Sequence, residues 1–268
     1  MTVTAIFGAG VMGETLLSGL VRSGRDVADL VITEKRVDQA QRLNATYGVA
    51  VLENADAAEQ ADVIVLVVKP QDMDGLLSEI REHVVPGNLV VSLAAGITTA
   101  YLESRLPEGS SVVRVMPNTP ALVDQGMAAI SPGQHCTQEH LQEAEAMLQS
   151  CGKVVQVPEK YQDAVTAISG SGPAYIFYVV EAMIEAGVVL GMPRQTSTEL
   201  VVQTLYGAAT MLKETVEHPT VLRERVSSPG GTTVAALRQL DDHKVRAAFI
   251  TAMEAAASRS HELASGLD

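Results

Sequence analysis

Val3-Thr4-Ala5-Ile6-Phe7-Gly8-Ala9-Gly10-Val11-Met12-Gly13 stands near the start of the sequence, and its reading decides the fold. The run 3–7 is short, apolar and strand-like, and residues 11–23 carry the periodicity of an amphipathic helix. A G-x-G-x-x-G turn acquires meaning only in this context, after a strand and opening a helix. Gly8 serves the tight turn, Gly10 lets the main chain approach a pyrophosphate, and Gly13 lets the helix pack on the strand. The dipole and free N–H groups of the helix that begins there favour an anion. Gly8, Ala9, Gly10, Val11, Met12 and Gly13 are therefore expected to bind a dinucleotide.

Outward from this turn, to residue 158, strand-like and helical runs alternate. Strands are expected over 30–33, 48–52, 62–68, 88–93, 111–116, 127–131 and 153–157, and helices over 36–47, 71–83, 98–105 and 137–150. That alternation predicts a Rossmann-type doubly wound α/β sheet. The run 63–68 lacks polar alternation, as a central parallel strand covered on both faces does. After Pro158 only long helical stretches follow, over 172–190, 193–214, 232–240 and 243–267. Two domains result: residues 1–158 for the dinucleotide, and an all-α domain, 159–268, for substrate and dimerisation. The helix around 174–184 is apolar almost all the way round, which predicts burial in a homodimer interface.

The composition bounds the function. A chain of 268 residues, 47% hydrophobic and 19% charged, suits a soluble globular protein. A formal charge of −13 repels nucleic acid and anionic membranes, so an acidic ligand must be captured by a local positive site. Aromatic residues make up 3% and Trp is absent, which argues against a base-stacking surface. The apolar runs 63–68 and 174–180 are too short to span a bilayer, and residue 3 already starts a strand rather than a leader. No nucleic acid or membrane partner is expected, and the location is cytoplasmic. Cys136 and Cys151 lack metal or redox spacing, which fits free thiols in a reducing compartment and no metal centre.

The second strand ends in Thr33-Glu34-Lys35-Arg36, where such a fold meets the adenosine ribose. Glu34 favours the 2′-OH of NAD, whereas Lys35 and Arg36 favour a 2′-phosphate; solvated charges at a helix start are the bland alternative. The expected cofactor is NADPH, with NADH as the alternative. Lys69-Pro70 follows another strand beside the same crevice, facing phosphate, ribose or solvent. Ala94-Ala95-Gly96 and Met116-Pro117-Asn118-Thr119-Pro120 end later strands with small or proline-bracketed loops that suit a flat ring and serve equally as plain turns. Far along the chain, Ser227-Ser228-Pro229-Gly230-Gly231-Thr232-Thr233 precedes a helix. Its main-chain N–H groups and hydroxyls suit a carboxylate, and the same residue types also make a well-capped helix.

Together with Val68-Lys69-Pro70-Gln71 and Ser169-Gly170-Ser171-Gly172-Pro173-Ala174-Tyr175, these motifs follow one another in an order that resembles the pyrroline-5-carboxylate reductases, and the likeness covers essentially the whole chain. The resemblance implies reduction of 1-pyrroline-5-carboxylate to L-proline, the last step of proline biosynthesis. It also implies a helical domain that dimerises, and in many members a ring of five dimers, a decamer. By matching position it implies cofactor contacts at Asn54 and Lys69, nicotinamide lining at Ala94, Ala95 and Asn118, and a substrate site at Ser228, Gly230, Gly231, Thr232 and Thr233. Thr233 matches the residue set against the substrate nitrogen, the catalytic position. Thr232 stands where many members have Ala, and Glu34 departs from the Ser or Asn of phosphate-preferring members.

The chemistry needs little from side chains. A cyclic imine is basic enough to be protonated near neutral pH, so no His or Lys acid is required, and none lies in the motif. Two rivals share the opening turn. A β-hydroxyacid dehydrogenase-like oxidoreductase would need a Lys in the first helix of its second domain, and 174–184 has none. A non-catalytic dinucleotide-sensing module would need no second anion site.

Overall fold

The computed structural model describes residues 2–265. An eight-stranded sheet runs in the order β3-β2-β1-β4-β5-β6-β7-β8. Its strands are β1 Thr4–Phe7, β2 Leu30–Thr33, β3 Ala50–Val51, β4 Val63–Leu66, β5 Leu89–Ser92, β6 Ser111–Met116, β7 Gly126–Pro132 and β8 Gly152–Gln156. Strands β1 to β6 are parallel; β7 runs antiparallel to β6, and β8 runs parallel to β7. The order 3-2-1-4-5-6 is that of a dinucleotide-binding sheet, with its topological switch between β1 and β4.

Helices α1 Val11–Arg22, α2 Val37–Tyr47, α3 Asn54–Gln60, α4 Pro70–Ile80, α5 Thr99–Arg105 and α6 Gln138–Leu148 cover the sheet. Because successive strand side chains point to opposite faces, the two core layers can be read from neighbouring residues. Ile6, Ile32, Val65 and Val91 pack with Leu17 of α1 and Leu141 of α6, whereas Phe7, Val31, Ile64 and Val90 pack with Met73 of α4 and Leu102 of α5. Burial on both faces is why β4 reads as an unbroken apolar run.

The remaining helices are α7 Gln162–Val165, α8 Gly172–Val189, α9 Arg194–Thr215, α10 Pro219–Arg225, α11 Thr232–Asp242 and α12 Val245–Ser265. By internal contacts the chain up to Ser171 forms one compact unit with the stretch from Ala256, and Gly172–Ala255 forms a second. In the second unit α8 and α9 meet so closely that a β-carbon on Gly187 would lie 2.0 Å from Ser197 Oγ. Little else there is buried: Gly187, Ser197 and Val201 are the buried residues of α8 and α9, and α10 and α11 have none. Phe177 and Tyr178 are 66% and 75% exposed. An apolar groove of about 750 Å³ runs along α8 and the starts of α12, lined by Tyr175, Tyr178, Met183, Leu240 and Phe249 among others.

Three expectations are revised. Helices α3, α7 and α10 were not foreseen, because all three are short and carry no long apolar stripe. Strand β4 stops at Leu66, since Val67 and Val68 turn away into the strand-end loop. The expectation that no segment reaches membrane-spanning length also fails: the helical run Glu159–Val189 (31 residues) is long and apolar enough by length and composition. The sequence shows only the apolar stretch at its centre, whereas the folded backbone joins it to the turns before and after.

Gly13 closes the fold at β1, for a β-carbon there would lie 2.2 Å from the carbonyl oxygen of Gly8. Gly13→Ala should destabilise the first unit by about 1–3 kcal/mol through overpacking, read as a lowered midpoint in chemical denaturation.

Candidate functional site

Strand β1 delivers the chain to Gly8, whose φ of +92° a side chain would strain, and whose N–H donates to the carbonyl of Thr33 (3.0 Å). The turn then enters α1 with Gly10 as N-cap, and no side chain caps that end. A β-carbon on Gly10 would meet nothing within 4 Å. The glycine at this position is thus required by no neighbour in the chain, and the space beside it is open to a ligand. The first-turn N–H groups of α1 face outward without side-chain partners, which suits a phosphate.

A cleft of about 720 Å³ opens here, within the range of a cofactor site. It brings together Gly8, Gly10, Glu34, Lys35, Arg36, Asn54 and Lys69, residues expected from sequence, with Val67, Val68, Gln71, Asp72 and Glu79, which were not. Val67 and Val68 lead into α4, Gln71 and Asp72 stand in its first turn and Glu79 in its last; Val68 and Gln71 belong to the motif at 68–71, and no motif marks Asp72 or Glu79. Ala9 and Gly13 are buried and shape the turn from within, Val11 is exposed, and Pro70 opens α4.

The cations Lys35, Arg36 and Lys69 share the cleft wall with the carboxylates Glu34, Asp72 and Glu79. Side-chain charge therefore nearly cancels, and capture of an anion falls on main-chain amides. The helices α1, α2, α3 and α4 all begin at this edge of the sheet, and none has a side-chain cap. Glu34 is folded onto Arg36: its carboxylate accepts the main-chain N–H of Arg36 at 3.0 Å and the guanidinium Nε at 3.3 Å, and its side chain is only 9% exposed. This contact holds the Arg36 guanidinium above its ordinary pKa. Asn54 gives its amide to Glu79 Oε2 (2.9 Å), and Lys35 lies 4.0 Å from Asp72.

The other expected residues stand elsewhere in the same unit. Ala94 is buried among the core residues of α4 and α5, and Ala95 is exposed on the loop after β5. Asn118 bridges the framework, donating to the carbonyl of Ser169 (3.1 Å) and accepting from the N–H of Met127 (2.8 Å). It lines a small, largely filled pocket with Met12 and Leu93. Both thiols are inert by environment: burial pushes Cys136 and Cys151 up, so each stays protonated.

In the second unit the glycine turn repeats the device. Gly230 has φ +68°, Gly231 is the N-cap of α11, and again no side chain caps the helix. A β-carbon on Gly231 would lie 2.5 Å from Ser228 Oγ, so the turn is closed tightly. Ser227 Oγ points back to the carbonyl of Arg223 (2.7 Å), whereas the hydroxyls of Ser228, Thr232 and Thr233 make no hydrogen bond among the described residues. The alternative of a well-capped helix is thereby set aside. The arrangement leaves main-chain N–H groups and hydroxyls together at one mouth, fit for a small carboxylate.

A family described as pyrroline-5-carboxylate reductase dimerisation matches residues 159–263, and one described as NADP oxidoreductase, coenzyme F420-dependent, matches residues 3–96. A pyrroline-5-carboxylate reductase of Corynebacterium melassecola is 45% identical over 267 residues, 98% of this chain and 99% of that one. The chain belongs to the pyrroline-5-carboxylate reductase family. Among solved structures, a pyrroline-5-carboxylate reductase from Coxiella burnetii superposes with a TM-score of 0.93 at 35% identity, covering 98% of each chain. The Plasmodium falciparum pyrroline carboxylate reductase with NADP bound gives 0.87 at 28% identity, also over 98% of each chain. The match to a family described as a dimerisation domain accords with the sparse core of the second unit.

Gly10→Ala separates folding from binding. Stability should fall by less than about 1 kcal/mol, the scale of a helix-cap change, while affinity for the dinucleotide measured by calorimetry should drop on the order of tenfold or more as the β-carbon fills the phosphate approach.

Proposed function

We propose that the Gly8–Gly13 turn holds the pyrophosphate of NAD(P)H and the turn at 228–233 holds the carboxylate of 1-pyrroline-5-carboxylate. The chain is an NAD(P)H-dependent oxidoreductase acting on a C=N bond, and forms L-proline in the last step of proline biosynthesis. The observation that carries the residue assignment is the bare N-terminus of α11: a glycine N-cap with three unpartnered hydroxyls beside it. Bound nicotinamide supplies a hydride to the imine carbon. The chain's part is to bind and orient. Main-chain N–H groups of α11 take the carboxylate, Ser228 and Thr232 add donors, and the Thr233 hydroxyl fixes the ring nitrogen. That nitrogen arrives protonated, so the hydride alone completes the amine and no side chain need deliver a proton at C=N.

We read NADPH as the preferred cofactor. Glu34 is engaged by Arg36 and is therefore a poor acceptor for a ribose hydroxyl, while Lys35 and Arg36 remain exposed to a 2′-phosphate. Ala94, Ala95 and Asn118 belong to the nicotinamide end in this reading, with Asn118 acting through the loops it ties. The oligomer is a homodimer, with five dimers forming a decamer, in the cytoplasm. A second copy, rather than lipid, covers the apolar face of α8, and the charge of −13 leaves no nucleic acid surface.

Loss of nicotinamide absorbance on adding 1-pyrroline-5-carboxylate tests the activity, with higher kcat/KM expected for NADPH than for NADH. Absence of turnover with either would overturn it, and turnover of a β-keto acid instead would favour the hydroxyacid rival. Thr233→Ala should lower kcat/KM roughly 5–150-fold, the equivalent of about 1–3 kcal/mol for one oriented hydrogen bond; wild-type kinetics would remove Thr233 from its role. Sedimentation at micromolar concentration should show dimers or larger, and a monomer mass would contradict the coverage of α8.

A further inference from the structure

Glu14 lies in the first turns of α1, a position from which a carboxylate opposes an anion at the same helix end. Arg42 of α2 grips it through both carboxylate oxygens, with Nη1 donating to Oε1 at 3.0 Å and Nη2 to Oε2. Gln39, three residues earlier on the same face of α2, donates to Glu14 Oε2 (3.4 Å) and to the carbonyl of Ala9 (3.0 Å), in the middle of the glycine turn. Tyr47 OH reaches Glu14 Oε1 at 3.5 Å. We propose that Arg42 is a positioning residue for cofactor binding: it neutralises Glu14 so that the α1 N-terminus stays attractive to a pyrophosphate, and with Gln39 it locks α2 to the Ala9 carbonyl. The inference rests on the cofactor reading of this turn and adds residues that no motif marks.

The cleft itself makes the need concrete. Its wall carries matched cations and carboxylates, so the amides of α1 supply the net attraction, and an unpaired Glu14 beside them would oppose it. The pair also holds the Glu14 carboxyl below its ordinary pKa, through the hydrogen bond to Arg42 first.

The test is NADPH binding by calorimetry, independent of turnover, on the full-length protein. Arg42→Gln should weaken binding about tenfold, with kcat at saturating NADPH and KM for the imine unchanged. Glu14→Gln alone should bind at least as well as wild type. The double variant Glu14→Gln/Arg42→Gln should return to within about twofold of wild type, because the charge that Arg42 offsets is gone. A double variant as weak as Arg42→Gln would overturn the proposal, showing that Arg42 touches the nucleotide or acts by packing. Should Arg42→Gln not fold, Arg42→Lys decides: binding near wild type supports neutralisation, and a tenfold loss with the charge retained contradicts it. Failure of the imine reaction in the wild type would strike the functional reading alone, since these affinities are measured without substrate.

Discussion

A glycine at a helix N-cap, with nothing else capping the helix, is the constraint on which the two proposed sites depend. Helices lose four amide partners at their start, and Ser, Thr, Asp or Asn at the cap ordinarily supplies one. This chain does so where no ligand is wanted: Thr98 caps α5, and Thr137 caps α6 in a reciprocal pair with His140. At α1 and α11 it places Gly10 and Gly231 instead, and no side chain takes the amides. For a protein of charge −13 that must bind a dinucleotide and a carboxylate, local amides are a source of positive potential that adds no side-chain charge.

The architecture follows from that requirement. Parallel strands joined by helical crossovers place every helix start along the carboxyl edge of the sheet, so α1 to α4 converge on one cleft as a consequence of connectivity. Side-chain charges there are balanced in pairs, Glu34 with Arg36 and Lys35 with Asp72. The second unit is organised around the opposite problem. Its helices bury little within one chain, and the close Gly187–Ser197 contact fixes where α8 meets α9.

The legible part of the sequence was that with local causes. The first turn, the strand runs and the long helices follow from periodicity and from glycines whose absence of a β-carbon matters, as at Gly8 and Gly13. The turn at 228–233 was ambiguous, because hydroxyl residues before a helix serve equally as caps; the folded backbone puts Gly231 at the cap and leaves α11 without a side-chain cap. Side-chain partnerships across elements were hidden. Asn54 with Glu79, and Glu14 with Gln39 and Arg42, join residues about 25 to 28 positions apart. Spacing on α2 places Gln39 and Arg42 on one face, yet nothing local says which helix they meet. Membrane-spanning length was missed for a similar reason, since the helix continues through residues that are not themselves apolar.

The most direct measurement of the central claim compares the wild-type protein on two substrates, 1-pyrroline-5-carboxylate and the same ring without its carboxylate, 1-pyrroline, at saturating NADPH. If the bare end of α11 anchors the carboxylate, kcat/KM should fall roughly 10–150-fold without it, the scale of a hydrogen bond to a charged group. Equal kcat/KM for the two rings would contradict the account.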